Sequence, residues 1–264
     1  MGKQSPTQEI KKLNDLIKKE LTIPVYQRPY RWTEKNVIQL LEDIFEYVIV
    51  KNKDYRIGNI ILHNAKNKEN VLENNIVDGQ QRLTTISIIL KVLDDNFDRL
   101  LINKEFKHII SKNNIVYNYR IISKWLNTKF GNDDSKKEKF KSQILNKCEF
   151  VLFTVFKQDE AFQLFDSQNA RGKALEPYDL LKAFHLREMD FDSEDERTKC
   201  IENWETSVDS GTLKPILANH LFKIRKWSKN EWKYYFTKDE IDEFKGISLH
   251  QKQQHPYESA IRML

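Results

Sequence analysis

The sequence has few of the features that mark secreted, disulfide-bonded or membrane-spanning proteins. Its two cysteines, Cys148 and Cys200, are far apart and do not have the spacing of metal ligands. No apolar run approaches the roughly 20 residues needed to cross a bilayer. Residues Met1 to Ser5 are not followed by the apolar stretch of a secretion signal. We therefore expect a protein of the reducing cytoplasm that is not associated with a membrane.

The motifs of several common hydrolases are also missing. No Gly-x-x-x-x-Gly-Lys-Ser/Thr sequence occurs, so any nucleotide hydrolysis would not use a P-loop. There is likewise no His-Glu-x-x-His, no zinc ribbon and no Gly-x-Ser-x-Gly. These absences exclude the zinc proteases and the serine hydrolases that carry those motifs.

Charge is distributed in blocks, although the net charge of the chain is only +5. Residues 104–147 contain eleven basic and four acidic residues, whereas residues 188–209 contain nine acidic and two basic residues. Such blocks are usually solvated helix faces. The basic block could alternatively contact the phosphates of a nucleic acid, because clustered Lys and Arg engage nucleic-acid backbones.

A short polar motif, Asp78 to Arg82, lies between two different apolar patterns. Ile76 and Val77 have the character of a strand end, and from Leu83 onward the apolar residues recur at helical spacing. Asp78 occupies the expected N-cap position of this helix, and a glycine allows the chain to turn. The free N–H groups of a first helical turn and an adjacent Arg favour a bound phosphate. A capped turn with solvated polar residues is the alternative.

The segment from Pro24 to Trp32 is stiffened by its prolines and is rich in aromatic and basic residues. Such aromatic residues often only cover a core, but beside arginines they also suit stacking on a base, with Arg on phosphate. A third polar cluster follows near residue 170. The candidate ligand-binding residues of these two segments are Gln27, Arg28, Tyr30, Arg31, Trp32, Asn169, Arg171 and Gly172. We expect the three clusters to line one cleft.

The remaining pattern predicts alternating helices and strands. We expect a helix over Thr7 to Glu20, a strand at Leu21 to Ile23, a helix capped by Thr33, and a hairpin from Tyr55 to Val77. The pattern then predicts helices over 100–146 with a break at 131–134, a strand at 150–156, and helices from Pro177 to the end of the sequence.

Three motifs in one order carry a resemblance to a known family. They are IPVYQRPYRW at residues 23–32, VDGQQRLT at 77–84, and FDSQNARGKALEPYDLLK at 165–182. Together they resemble the N-terminal domain of GmrSD-type, modification-dependent (type IV) restriction enzymes. The resemblance implies an α+β fold with a ParB/sulfiredoxin-like mixed β-sheet core, a basic helical insertion at about 98–147 and a helical C-terminal region.

The resemblance also implies a function in anti-phage defence. Asp78, Gln80, Gln81 and Arg82 would be the catalytic motif that hydrolyses a nucleoside triphosphate with a divalent metal, normally Mg²⁺. Asp78 is the candidate metal ligand, and the metal-binding residues are otherwise unknown. The expected partners are DNA, including modified phage DNA, and a nuclease domain or subunit; a homodimer is left open.

The expected domains are residues 1–186, the nucleotide-binding core, and 187–264, a helical region. Family members usually continue into an HNH-type nuclease domain, and no matching motif occurs here. We therefore expect a chain truncated before the nuclease, with no DNA cleavage of its own. A non-hydrolytic module that senses DNA or nucleotide is the alternative function, and a nuclease in its own right is a weaker one.

Overall fold

The computed structural model describes residues 5–24, 27–66, 72–106, 108–157, 160–161, 164, 177–188 and 194–245. The chain divides into two compact units, Met1–Gly172 and Lys173–Leu264. The predicted cluster at Asn169, Arg171 and Gly172 lies outside the described residues.

The first unit is built on a five-stranded mixed sheet. Its strands are β1 (Thr7–Lys12), β2 (Leu21–Thr22), β3 (Tyr55–Lys66), β4 (Leu72–Asp78) and β5 (Cys148–Val155). The strand order is β1-β5-β3-β4-β2. β3 pairs in parallel with β5 and antiparallel with β4, while β4 pairs in parallel with β2. The predicted α+β class and the hairpin of β3 and β4 are therefore confirmed.

Helices cover one face of this sheet. They are α1 (Leu13–Leu16), α2 (Glu34–Ile44), α3 (Gln80–Leu93), α4 (Ile109–Phe130) and α5 (Asp134–Lys147), and α2 continues into a π-helical turn, Phe45–Val50. The main core contains side chains from all five helices and from strands β2 to β5. Ile61 and Val77 point to the opposite face, where they join a small second cluster with Val155 and Ala161. This division follows from the alternation of side chains along a strand.

The prediction for the N-terminal segment was half wrong. We expected one helix from Thr7 to Glu20, but its first half is the edge strand β1, which pairs antiparallel with β5. Only Leu13–Leu16 is helical. Ile10 and the later leucines fit a helical spacing, so periodicity alone could not separate a short helix from a strand that pairs with residues far along the chain.

The basic segment forms α4 and α5, with the predicted break at Gly131. The predicted helical start at Leu100 was wrong, because residues 100–106 form turns and irregular backbone. The inner face of α4 contributes Ile122 and Trp125 to the main core. Several of its charges form ion pairs, such as Lys129 with Glu42 at 3.0 Å. The segment is therefore a structural layer of the first unit, and whether its outer face also meets DNA stays a prediction.

The described part of the second unit is mainly helical, but residues 228–237, which we expected to be helical, form turns and irregular backbone. It contains α6 (Pro177–Glu188), α7 (Glu194–Asp209), α8 (Leu213–Pro215), a π-helical turn (Ile216–Leu221), α9 (Phe222–Trp227) and a 3₁₀ helix (Lys238–Phe244). Lys182 of α6 and Glu205 of α7 form a buried ion pair. Within the described ranges, no helix combines the length and the apolar composition that crossing a membrane requires.

Candidate functional site: the turn between β4 and α3

The centre of the candidate site is the turn at Gly79, between β4 and α3. Gly79 has a left-handed conformation with φ of +95°, and a Cβ atom there would lie 3.2 Å from the carbonyl oxygen of Asn59. Both observations require glycine at this position. Gly79, and not Asp78, occupies the N-cap position, and it provides no side-chain cap. Our expectation that Asp78 is the N-cap residue was therefore wrong, because Asp78 still belongs to β4.

Arg82 lies flat against the backbone of β3. Its Nη1 atom donates a hydrogen bond to the carbonyl oxygen of Asn59 at 2.9 Å. The neighbouring Gly58 has φ of +145°, and a Cβ atom there would overlap Nη1 of Arg82. The absence of a side chain at Gly58 thus makes room for the guanidinium group.

The carboxylate of Asp78 lies beside this guanidinium group without binding it closely. Nη2 of Arg82 is 3.8 Å from Oδ2 of Asp78, which is too long for a hydrogen bond. Both side chains are partly exposed. The turn therefore presents one carboxylate and one guanidinium group that can each still bind another group.

Gln27 brings the loop that follows β2 to this turn. Its Nε2 atom donates hydrogen bonds to the carbonyl oxygens of Ile76 and Val77, both at 2.8 Å. Because β2 and β4 are parallel, their carboxyl ends lie at the same edge of the sheet. The structure thus brings together Gln27, Asp78 and Arg82, as the sequence predicted. Arg28, next to Gln27, is exposed.

Gln81 is bound to the same loop through both of its polar atoms. Its Oε1 atom accepts a hydrogen bond from the backbone N–H of Arg31 at 2.8 Å, and its Nε2 atom donates to the carbonyl oxygen of Pro29 at 3.1 Å. The side chain is buried. Gln81 therefore positions the loop in this structure.

Tyr30 lies inside the core, with no exposed surface. Its hydroxyl group hydrogen-bonds to Oγ1 of Thr85 at 2.8 Å and accepts from Nδ2 of Asn118 at 3.0 Å. Burial raises the pKa of Tyr30 to about 12. Trp32 also packs, partly buried, against the core. For these two aromatic residues the structure supports the simpler interpretation of a cover over the core.

Three polar residues of α4 complete the attachment of the loop, and sequence reasoning missed them. Ser111 Oγ accepts a hydrogen bond from the backbone N–H of Tyr30 at 2.9 Å. Asn114 Nδ2 donates a hydrogen bond to the carbonyl oxygen of Tyr30 at 2.8 Å. Asn118 Nδ2 donates to the carbonyl oxygen of Trp32 at 2.8 Å. Their spacing of three and four residues places them on one helix face. We call Gln81, Ser111, Asn114 and Asn118 the loop clamp.

Gln80 has an unsatisfied polar atom close to the turn. The side chain is only 4% exposed, and its Oε1 atom is buried without a hydrogen-bond partner among the residues that the structure describes. Thr84 lies one helical turn later, and its buried hydroxyl group likewise has no hydrogen-bond partner in the described part of the chain. Buried polar atoms are nearly always satisfied in folded proteins. Neither atom is reached by solvent in this structure, so a further polar group could bind them only after a rearrangement of the turn.

The site contains one candidate metal ligand. Among the described residues, no three His, Cys, Asp or Glu side chains are close enough to hold a metal ion. Asp78 would therefore act as a single protein carboxylate. That arrangement suits Mg²⁺, which is commonly bound by one or two carboxylates together with substrate phosphates and water.

The fold and the site together define a mixed-sheet α+β domain with a polar turn suited to binding an anion. A family model described as the N-terminal domain of GmrSD restriction endonuclease matches residues 10–186. The chain belongs to this family, as the three motifs predicted, and is a component of a restriction, or defence, system. A second family model, of unknown function, matches residues 196–264. None of the curated proteins matches the chain.

Proposed function

We propose that the turn at Asp78 binds and hydrolyses a nucleoside triphosphate within a DNA restriction system. One observation carries the proposal. Arg82 is held in place by Asn59, yet its second nitrogen and the carboxylate of Asp78 are 3.8 Å apart and partly exposed. A positioned cation and an accessible carboxylate at a helix N-terminus are the groups that a metal-bound phosphate requires.

The phosphate would lie at the N-terminus of α3. The N-cap residue Gly79 provides no side-chain cap, and the first turn contains no acidic residue. The first N–H groups of a helix have no partner within the helix and bear a partial positive charge. Arg82 adds guanidinium donors that can bind two phosphate oxygens at once. A bound phosphate could therefore accept hydrogen bonds from these N–H groups and from Arg82.

The chemistry would be divided between Asp78 and Gln80. Asp78 would hold a divalent cation that also binds the phosphates, and the cation would offset charge on the phosphoryl group. The Oε1 atom of Gln80 has no hydrogen-bond partner among the described residues, and if ligand binding exposed this buried atom, it could accept a hydrogen bond from the attacking water. Gln81 would keep the loop, and with it Gln27 and Arg28, next to the ligand.

In this proposal hydrolysis is coupled to DNA through other parts of the system. Arg28 is exposed on the clamped loop, and the outer faces of α4 and α5 are basic, so both could contact DNA. An HNH-type nuclease part would act as the partner. The ParB/sulfiredoxin-like relationship of the sheet, the Mg²⁺ ion and a homodimer belong to the same proposal.

A non-hydrolytic sensor is the second candidate, and the loop clamp favours it. Both polar atoms of Gln81 are bound to the loop backbone, so in this structure Gln81 links α3 to the loop and does not face a substrate. A ligand that displaces the start of α3 would therefore also displace the loop. In this case nucleotide or DNA binding alone would change the position of Arg28.

Phosphate release with each of the four nucleoside triphosphates, with and without DNA and Mg²⁺, tests the proposal. We expect turnover by the wild-type chain and its collapse in Asp78→Asn, which keeps the size of the side chain but removes its charge. Calorimetry with a non-hydrolysable analogue should still show binding to that variant. Tight binding without turnover under every condition would favour the sensor. No nucleotide binding at all would refute hydrolysis and nucleotide sensing, and the absence of DNA binding as well would refute the sensor altogether.

A further inference from the structure

The second unit carries a segment of exposed aromatic rings that no fold requirement explains. We call residues Trp227 to Phe236 the aromatic strap. Four of its rings are largely in solvent: Trp227 is 52% exposed, Trp232 78%, Tyr234 74% and Tyr235 81%. Large rings are rarely left this exposed, and clustered exposed apolar surface usually marks a binding site.

The strap is held in place although its rings are exposed. At its end, Phe236 packs against Phe222 and Phe244, with ring centroids 5.4 and 5.2 Å apart. At its start, Trp227 is the last residue of α9, whose first residue, Phe222, is fully buried. These contacts fix both ends of the segment. The exposed rings between them are thus displayed from a fixed backbone.

The strap contains two lysines and one glutamate, Glu231, which is 48% exposed, so the strap has an excess of one positive charge. Lys229 and Lys233 are about half exposed, at 50% and 52%, whereas their partners Glu243 and Glu240 are only 14% and 13% exposed. The carboxylates therefore lie beneath the ammonium groups. Both ammonium groups are accessible from the solvent side, so a phosphate could approach them without either ion pair being broken.

We propose that the aromatic strap binds single-stranded nucleic acid, with bases stacked on its exposed rings and phosphates on its lysines. Aromatic rings interleaved with basic groups are the usual composition of such surfaces. A duplex cannot use the rings in this way, because its bases are already stacked on one another. The outward-facing ammonium groups of Lys229 and Lys233 favour a partner that bears phosphates. The proposal does not depend on nucleotide hydrolysis by the first unit.

The test measures binding of the full chain to labelled oligothymidine and oligouridine about 20 nucleotides long, by fluorescence anisotropy. These two probes distinguish DNA from RNA. The variant Trp232→Ser/Tyr234→Ser/Tyr235→Ser should bind at least about tenfold more weakly, since stacking contributes about 1–3 kcal/mol per base. Tyr234→Phe/Tyr235→Phe keeps the rings and should bind nearly as well as the wild type.

Two control variants separate the strap from general surface effects. Tyr47→Ser removes an exposed ring of the first unit, and Lys18→Gln removes an exposed, paired lysine; neither should change affinity. Lys229→Gln, by contrast, should weaken binding and reduce its salt dependence. A wild-type chain that binds neither oligonucleotide would overturn the proposal, as would unchanged affinity in the serine variant. Loss of self-association in that variant, with unchanged oligonucleotide affinity, would instead identify a protein interface.

Discussion

Gly58→Ala is the most selective perturbation of the proposed phosphate site, because it acts on Arg82 without removing it. The new Cβ atom would overlap Nη1 of Arg82, so the guanidinium group must leave its place against β3. The hydrogen bond to the carbonyl oxygen of Asn59 would then be lost. Asp78 itself would be unchanged.

Two contributions lower the free energy of unfolding of Gly58→Ala. Holding alanine at φ of +145° costs on the order of 1–3 kcal/mol, as for other residues in sparsely populated backbone regions. Displacing Arg82 adds about 1–2 kcal/mol, the lower part of the range for hydrogen bonds to charged groups, because its side chain is partly exposed. If Arg82 binds phosphate, nucleotide affinity should also fall by about tenfold to a hundredfold.

Gly131→Ala is the matched control, measured in parallel by urea unfolding and by calorimetry with a non-hydrolysable nucleotide. Gly131 also has a positive φ, of +60°, but a Cβ atom there would meet no atom of the described residues within 4 Å. It should therefore show the backbone strain alone, with normal nucleotide affinity. Gly58→Ala should be the less stable of the two variants and the only one that binds nucleotide weakly.

The double variant Gly58→Ala/Arg82→Ala decides whether the effect passes through Arg82. Without the guanidinium group, the added methyl group should cause no further loss of affinity, so the two substitutions should be strongly non-additive. Full additivity would refute the reasoning. Normal nucleotide affinity in Gly58→Ala would also refute it, because Arg82 could then bind phosphate from elsewhere.

Three further predictions use other contacts. Arg82→Ala should weaken nucleotide binding by about 1.5–3 kcal/mol in calorimetry, and normal affinity would exclude a phosphate contact. Tyr30→Phe should lower the free energy of unfolding, measured by urea denaturation, by about 1–2 kcal/mol. Burial raises the pKa of Tyr30 from 10.0 to about 12. The difference in unfolding free energy between the wild type and Tyr30→Phe should therefore be constant below pH 10 and should decrease from pH 10 to about pH 12. Replacing the exposed residues Lys112, Arg120, Lys124 and Lys139 by Glu should weaken duplex DNA binding and flatten its salt dependence without changing basal turnover; unchanged affinity would leave α4 and α5 as a solvated layer.

The elements next to the site could be predicted because their signals are local. The step from the strand pattern of Ile76 and Val77 to the helical spacing after Leu83 placed the turn correctly, and Gly79 marked it. Thr33 likewise marked the start of α2, where its backbone N–H donates to Oδ1 of Asn36 at 3.2 Å. In each case the signal lies within a few residues of the feature that it predicts.

The loop clamp could not be predicted because its partners are distant in the sequence. Ser111 and Asn118 bind a loop about eighty residues earlier, and nothing in the pattern of the basic segment identifies that loop. The edge strand β1 was missed for the same reason, since its partner β5 follows more than 130 residues later. Hydrophobic periodicity describes the burial of a face but not the identity of what covers it.

The polar residues at the start of α3 contact two different elements, the strand β3 and the loop after β2. These contacts determine how the site can respond to a ligand. Successive residues of a helix are rotated by about 100°, so Arg82 can point to β3 while Gln81 points to the loop. Thr85, one turn after Gln81, binds the hydroxyl group of Tyr30, which Asn118 of α4 also binds. A ligand that moves the start of α3 must therefore strain or shift the loop that carries Arg28. Binding at the turn and the position of the loop are thus coupled by contacts already present in the folded chain, whether or not hydrolysis follows.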